Sequence, residues 1–290
     1  MKTIKDCVNS IVTPNLTGSI TYLDFEQSAS KPSELGLTVK QKHMELAPHS
    51  STATLTKEQI DDILRFHSID AGEMTQSTLA NEDEQYVSKR IIEKMWNMGH
   101  TSYLNSFTPF QKWANKWFGY APLQLVKSDA DLIRVINLHA NRIAVKSRRG
   151  PGNFIVVPFE TGSILQDQPN FEHEPLAGGI VAGGVCYKIG HLNGRIEVFV
   201  DPFMKYDAKS FIIGKTTQNN DPGLYYVTRD TVEKLETALH DPIGSVKYSH
   251  VRWDWLGKIG SNASDHFFTV RYSDKKHNLW KHLISKYIKK

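Results

Sequence analysis

Cysteine is nearly absent: Cys7 and Cys186 are the only two in 290 residues, and neither belongs to a Cys-x-x-Cys pair. A disulfide framework or a structural zinc site is therefore not expected, and the usage fits a reducing compartment. Long apolar runs are missing too. No window approaches the roughly 18 consecutive apolar residues of a membrane span. The opening MKTIKDCVNSIV lacks the uninterrupted apolar stretch of a signal peptide. A soluble chain made in a cytoplasm, with no membrane partner, is the expectation. Charge of one sign is also scarce, the formal net charge being +4. The only dense basic spots, residues 146–149 and 281–290, read as solvated surface rather than a dedicated nucleic-acid face. No internal repeat and no low-complexity tract appears.

Complete catalytic motifs are lacking as well. Gly214-Lys215-Thr216 follows an apolar run like the end of a phosphate-binding loop. That motif needs a glycine five residues earlier, and Lys209 stands there. Without a glycine-rich loop the backbone N–H groups cannot cradle a phosphate. Gly178-Gly179 and Gly183-Gly184 have the wrong spacing for a dinucleotide fingerprint and read as a loop. Glu172-His173-Glu174 could offer metal ligands, with Glu172 and Glu174 on one side of an extended segment. No second cluster completes a coordination shell, so a solvated loop is expected. There is no Gly-x-Ser-x-Gly elbow. Asp61 and Asp62 diverge on a helix and serve solubility, and Asp230 and His240 read as helix-flanking residues. No catalytic residue, metal ligand or cofactor site is expected.

What is present is an ordinary globular composition, 40% apolar and 23% charged, in a chain long enough for one large or two modest domains. The first 50 residues look irregular, with strand-like stretches at 18–25 (GSITYLDF) and 37–46 (LTVKQKHMEL) around a polar loop at 28–34. Thr56 is placed to cap a helix, with Gln59 as its capping-box partner. Ile60, Ile63, Leu64 and His67 share one face of that helix. A longer helix is predicted over 74–98, with Leu79, Val87, Ile91, Met95 and Met98 as its buried stripe and a length of about 37 Å. The aromatic cluster TPFQKWANKWFGYAP at 108–122 fits a core or an interface. A third helix runs from Asp129 to Arg148, with Leu132, Ile133, Ile136, Ala140 and Ile143 inward, and is stopped by Gly150 and Gly152. A buried strand (153–158) and a short helix (160–166) follow. From residue 178 the chain is β-rich, with strands at 185–189, 195–201, 211–213, 223–227 and 267–272. Asn193-Gly194 marks a hairpin turn. One more helix is predicted over 232–239. This order gives an α+β fold rather than a parallel α/β sheet.

Three of these segments, taken together, resemble the capsid proteins of T4-like tailed phages. The first is ANRIAVKSRRGPGNF at 140–154, where a helix ends in a basic pair before Gly-x-Gly-Asn-Phe. Arg148, Arg149, Gly150, Gly152, Asn153 and Phe154 carry it. The second is YKIGHLNGRIEVFVDPF at 187–203, carried by Gly190, Leu192, Asn193, Gly194, Arg195, Val198, Asp201 and Pro202. The third spans 211–226, where Gly214-Lys215 precedes Asp221, Gly223 and Tyr226. A weaker likeness covers 39–67 and 268–272.

The resemblance implies an HK97-like capsid fold. It assigns 1–36 to an N-terminal arm and 37–128 to an extended loop and peripheral domain with a spine helix. An axial domain takes 129–210, and 211–290 returns to the peripheral domain with a basic tail. It further implies a major capsid or capsid-vertex subunit of the virion, assembled in the host cytoplasm into pentamers or hexamers. Its partners would be other capsid subunits, scaffold, portal and non-specifically bound DNA. The chain departs from the pattern after Gly223, where Val227-Thr228-Arg229-Asp230 replaces a proline-containing stretch, and in its lysine-rich end. Major and vertex roles both stay open. Two other classes remain in view: a nucleic-acid-binding accessory protein using residues 112–120, and an enzyme needing a concave polar pocket.

Overall fold

The structure is a computed structural model describing residues 3–27, 35–104, 126, 128–174, 186–204, 210–216, 223–239, 241–260 and 262–272. The chain divides into two compact units. The first holds Met1–Met95, Leu176–Tyr187 and Thr216–Ser264, and the second Trp96–Pro175, Lys188–Lys215 and Asp265–Lys290.

The first unit is built on a long, twice-used strand. Numbering elements in chain order, β1 is Asn9–Thr13, β2 Thr17–Gln27, β3 Leu35–Glu45 and β4 Ala47–Leu55. They are followed by α1 (Lys57–His67) and α2 (Ala71–Met98). Later come β11 (Gly223–Arg229), β12 (Glu233–Ala238) and β13 (Val246–Ile259). β13 pairs with β4 along Val246–Asp254, with β12 along Val246–Val251 and with β11 along Asp254–Ile259, all antiparallel. β1 adds to β11 in parallel, Asn9 opposite Tyr225. The residues before 50 are therefore largely ordered strands, not an irregular run. β1 and β4 are paired with strands about two hundred residues away, which local pattern cannot show, whereas β2 and β3 pair with each other.

β2 and β3 form an antiparallel ribbon paired from Thr17↔Glu45 to Gln27↔Leu35. The base of the ribbon packs on the five-stranded sheet through Ile20, Met44 and Leu46 against Tyr225, Val227 and Ile259. Trp253 and Trp255 lie partly buried against the same cluster.

α1 starts as the sequence dictates. Thr56 Oγ accepts from the Gln59 N–H at 3.2 Å, and Gln59 Oε1 accepts from the Thr56 N–H at 3.0 Å. Its apolar face is not covered, however: none of its residues is buried, and Leu64 and Phe66 are 58% and 75% exposed. α2 begins three residues before the expected Met74, at Ala71, and its 28 residues extend about 42 Å. Leu79, Val87, Ile91 and Met95 are buried as the stripe predicts, whereas Met98 is only half-buried. The helix expected at 232–239 is instead the strand β12, its Leu235 opposite Ser249. An eight-residue helix is marginal in water, and the neighbouring β13 offers a full ladder of hydrogen bonds.

The second unit has a seven-stranded mixed sheet in the order β5-β14-β10-β6-β9-β8-β7. These are β5 (His100–Leu104), β6 (Phe154–Pro158), β7 (Phe171–His173), β8 (Tyr187–Leu192), β9 (Ile196–Asp201), β10 (Phe211–Gly214) and β14 (Phe267–Tyr272). β6 lies at its centre, parallel to β9 and antiparallel to β10, and all five of its residues are buried. α3 (Asp129–Ser147) packs on β10 and β14. Its inward face is Leu132, Val135, Ile136, His139, Ala140 and Ile143, while the expected Ile133 is half-buried. Ser128 caps it, accepting from the Asp131 N–H at 3.3 Å. α4 (Phe159–Gln166) covers β6 and β9. The aromatic cluster at 108–122, the glycines at 178–184 and the lysine-rich end lie outside the described residues.

The hairpin between β8 and β9 turns where expected, Asn193 and Gly194 both having positive φ, 55° and 62°. Close approach fixes another glycine: a Cβ on Gly190 would stand 2.2 Å from the Glu172 carbonyl oxygen and 2.8 Å from the Phe171 ring. The carbonyl belongs to the neighbouring strand and cannot move without breaking the β7–β8 pairing. Replacing Gly190 with alanine should lower stability by about 3 kcal/mol. Urea unfolding followed by circular dichroism should show a lower midpoint with an unchanged slope.

Candidate functional site

Two groups of side chains stand out, one in each unit. In the first unit, β13 turns Tyr248, His250, Arg252 and Asp254 to one buried face by simple alternation. α2 meets that face with Asp83, Glu84 and Arg90. Asp83 is 0% exposed, and its Oδ2 accepts from Arg252 Nε at 2.5 Å. Arg252 also donates to Glu84 Oε1 at 2.6 Å, and Lys5 pairs with the other Glu84 oxygen. Arg90 forks onto Asp254, 2.9 and 3.0 Å to its two oxygens. His250 Nδ1 stands 3.5 Å from Asp83, and His49 Nε2 3.8 Å from it while stacking on Tyr86.

Burial works against Glu84, Arg90, Arg252 and His250, and for the first three the partners outweigh it. Burial would raise the Glu84 carboxyl, but Lys5 and then Arg252 hold it below the usual range. Burial pushes His250 down, and Asp83 only partly opposes that. Arg252 is held charged, above its ordinary value, because Tyr226, Glu84 and Asp83 outweigh its desolvation. This is a structural clamp. Apart from Tyr226 none of these residues was singled out from the sequence, although a signal existed: Asp83 continues the four-residue series Leu79, Val87, Ile91 and Met95 on the buried stripe.

In the second unit the residues of the basic turn come together around the end of α3. Arg148 is the left-handed cap, with φ 55°, and its N–H donates to the Ala144 carbonyl at 2.9 Å. The helix is thus stopped by an arginine, two positions before the first glycine. Gly150 follows with φ 105°. Gly152 then returns against the helix, its N–H donating to the Ala140 carbonyl at 3.0 Å, and a Cβ there would be 3.0 Å from Ile143. The Asn153 N–H donates to the Gly214 carbonyl at 2.9 Å, and Phe154 packs edge-on to Phe267. Gly214 lies between those rings, where a Cβ would be 2.4 Å from Phe154. It ends a sheet strand, so Gly214-Lys215-Thr216 is not the entry to a nucleotide loop.

The remaining sequence-singled residues are spread along the sheet. Arg195 is exposed after the β8–β9 turn, its N–H donating to the Leu192 carbonyl. Asp201 ends β9, its Oδ1 accepting from the Phe203 N–H at 3.0 Å, with Pro202 exposed between them. Gly223 opens β11 opposite Ile259 in the first unit, and Asp221 lies outside the described residues. Glu172 and His173 form β7, while Glu174 pairs with Lys188 and is not a free loop carboxylate. Among the described residues no group of three or more His, Cys, Asp and Glu is placed to hold a metal ion. No described helix is long and apolar enough to cross a membrane.

Solved structures of phage shells share this arrangement. The cyanophage P-SCSP1u capsid structure superposes with a TM-score of 0.55 over 95% of this chain and 89% of that one, at 8% identity. A Mycobacterium phage Che8 chain gives 0.53 over 88% and 84%, at 13% identity. The capsid of an empty GTA particle gives 0.52 over 93% and 90%, at 7% identity. At such identities the likeness is one of fold, and the fold is the HK97-like fold of virus shell subunits. No curated protein matches the chain. The family model described as Major capsid protein Gp23 matches residues 6–228, well over half of the sequence, and the chain belongs to that family. It is a structural subunit of a tailed-phage head shell.

Two histidines predict the acid limit of the fold. His139 is fully buried in α3 between Phe211 and Phe268, and burial pushes it down to about 4. His266 is also pushed to about 4, by burial and then by Lys215 and Arg149. Unfolded histidine titrates near 6.5, so the unfolded chain binds protons first as pH falls. The stability from keeping both neutral is fully present above about pH 6.5 and lost as pH drops toward 4, by up to about 3 kcal/mol for each. Urea midpoints measured between pH 7.5 and 4.5 should fall accordingly, and His139→Leu should flatten part of that slope. In the first unit, Asp83→Ala should cost about 3–5 kcal/mol, since it strands the buried Arg252 charge.

Proposed function

We propose that copies of this chain assemble into five- or six-membered rings, and that these rings close an icosahedral head around phage DNA. The observation that carries the proposal is the major-capsid family match over residues 6–228. In this reading the first unit is the peripheral domain, with α2 as its spine. The ribbon β2–β3 is the extended loop that reaches a neighbouring subunit. The second unit is the axial domain around the ring axis, and its sheet takes in β10 and β14. The N-terminal residues act as an arm in assembly, although β1 also completes a sheet.

Large shallow surfaces, not a pocket, would carry such a role. Leu64 and Phe66 on α1, Met74 on α2 and Ile69 between the two helices are exposed apolar side chains of the kind that association covers. The role we infer is structural and not catalytic. Scaffold and portal proteins are the assembly partners in the host cytoplasm, and DNA is contacted by general electrostatics on the inner surface.

The test is negative-stain electron microscopy of the purified chain over a concentration series, with mass photometry on the same samples. Rings of five or six, tubes or shells are expected, and the ring number separates a vertex from a hexamer-forming subunit. A compact monomer at every concentration, with or without co-expressed scaffold, would overturn self-assembly and favour an accessory role.

A further inference from the structure

The turn after α3 gathers cationic groups for which the shell fold gives no reason. The Lys215 N–H donates to the His266 carbonyl at 3.0 Å, so these two residues lie side by side. The Lys215 ammonium group reaches over the glycine turn: a Cβ on Gly150 would be 3.7 Å from its Nζ. Arg149, next to that glycine, acts electrostatically on both Lys215 and His266. Arg148 is exposed beside it, and the Lys146 ammonium group lies 5.4 Å from the Phe268 ring centre.

Among the described residues no carboxylate pairs with Lys215. The acid that does act on His266, Asp265, is itself engaged by His100 Nε2 at 2.7 Å. His266 is 2% exposed, and its buried Nδ1 has no hydrogen-bond partner among the described residues. Buried polar atoms in native proteins are nearly always satisfied, so this nitrogen marks the place of a missing hydrogen-bond partner.

We propose that Arg149, Lys215 and His266 form a binding site for a phosphate-type oxyanion, either free phosphate or a phosphodiester. The three residues come from different elements: Arg149 from the turn after α3, Lys215 from the end of β10 and His266 from just before β14. A tetrahedral oxyanion can accept from several directions at once, whereas a carboxylate accepts in one plane. The electrostatics agree with the geometry. Burial and then Arg149 hold Lys215 below its usual range, and burial, Lys215 and Arg149 hold His266 near 4 against Asp265. An anion between them would relieve both. The inference is independent of ring formation.

The experiment is isothermal titration of the full-length chain with inorganic phosphate at low ionic strength, repeated with a short DNA duplex and with a glutamate-rich peptide. Wild type should bind phosphate saturably. Lys215→Gln should bind about tenfold more weakly or worse, and Lys215→Arg should stay within about threefold of wild type. Circular dichroism verifies the fold of each variant, and Arg149→Gln, on a partly exposed residue, serves if Lys215→Gln does not fold. Duplex binding that is lost in the same variant assigns the site to a phosphodiester. Duplex binding indifferent to the variant, alongside sensitive phosphate binding, assigns it to free phosphate. No saturable phosphate binding by wild type, a folded Lys215→Gln that binds as wild type does, or binding of the acidic peptide alone would overturn the proposal.

Discussion

A carboxylate taken wholly out of water must be answered by cations, and in the first unit Asp83 is answered by Arg252. That pair fixes where α2 can lie on β13. Its register is confirmed one and seven residues along the helix, where Glu84 shares Arg252 and Arg90 reaches Asp254. Apolar packing alone tolerates sliding of a helix on a sheet. A fork of charged hydrogen bonds does not, because every shift strands a buried ion. The same strand, on its opposite face, sends Trp253 and Trp255 toward the core under the β2–β3 ribbon. Helix, sheet and ribbon therefore take their placement from one alternating strand.

The second unit uses a different device. β6 is buried along its whole length between β9 and β10, and α3 and α4 each pack on strands of the same sheet. The basic turn that leads into β6 is held by backbone hydrogen bonds to Ala140 and Gly214 and by glycines that allow close approach. A shell subunit needs frames rigid enough to be repeated many times, and both units meet that need with buried, specific contacts.

Much of the fold was legible because its signals are local. The Thr56–Gln59 capping box, the apolar stripe of α2, the stop after Asp129–Ser147, the Asn193-Gly194 turn and the all-buried β6 each follow from neighbouring residues. The order of the basic turn, the hairpin and the Gly214-Lys215 stretch pointed to the capsid family, and the family match agrees. β13 was not predicted although residues 250–255 alternate polar and apolar; the alternation is inverted, with His250, Arg252 and Asp254 on the buried face and Val251, Trp253 and Trp255 half-buried on the other. Residues 232–239 misled in the opposite sense, since helical spacing there yields to pairing with a strand that could not be seen.

The sequence by itself determined the kind of all three long helices and of many strands, and the family, since caps, turns and periodicity act over a few residues. Only the tertiary structure decided that β1 completes a sheet with β11, that β10 and β14 join β6, and that Asp83 is buried against Arg252. It also brought Lys215 and His266, far apart in sequence, to the Arg149 turn. These are long-range pairings, whose stability lies in hydrogen bonds and desolvated charges between distant segments, and no local pattern encodes which partner will be met.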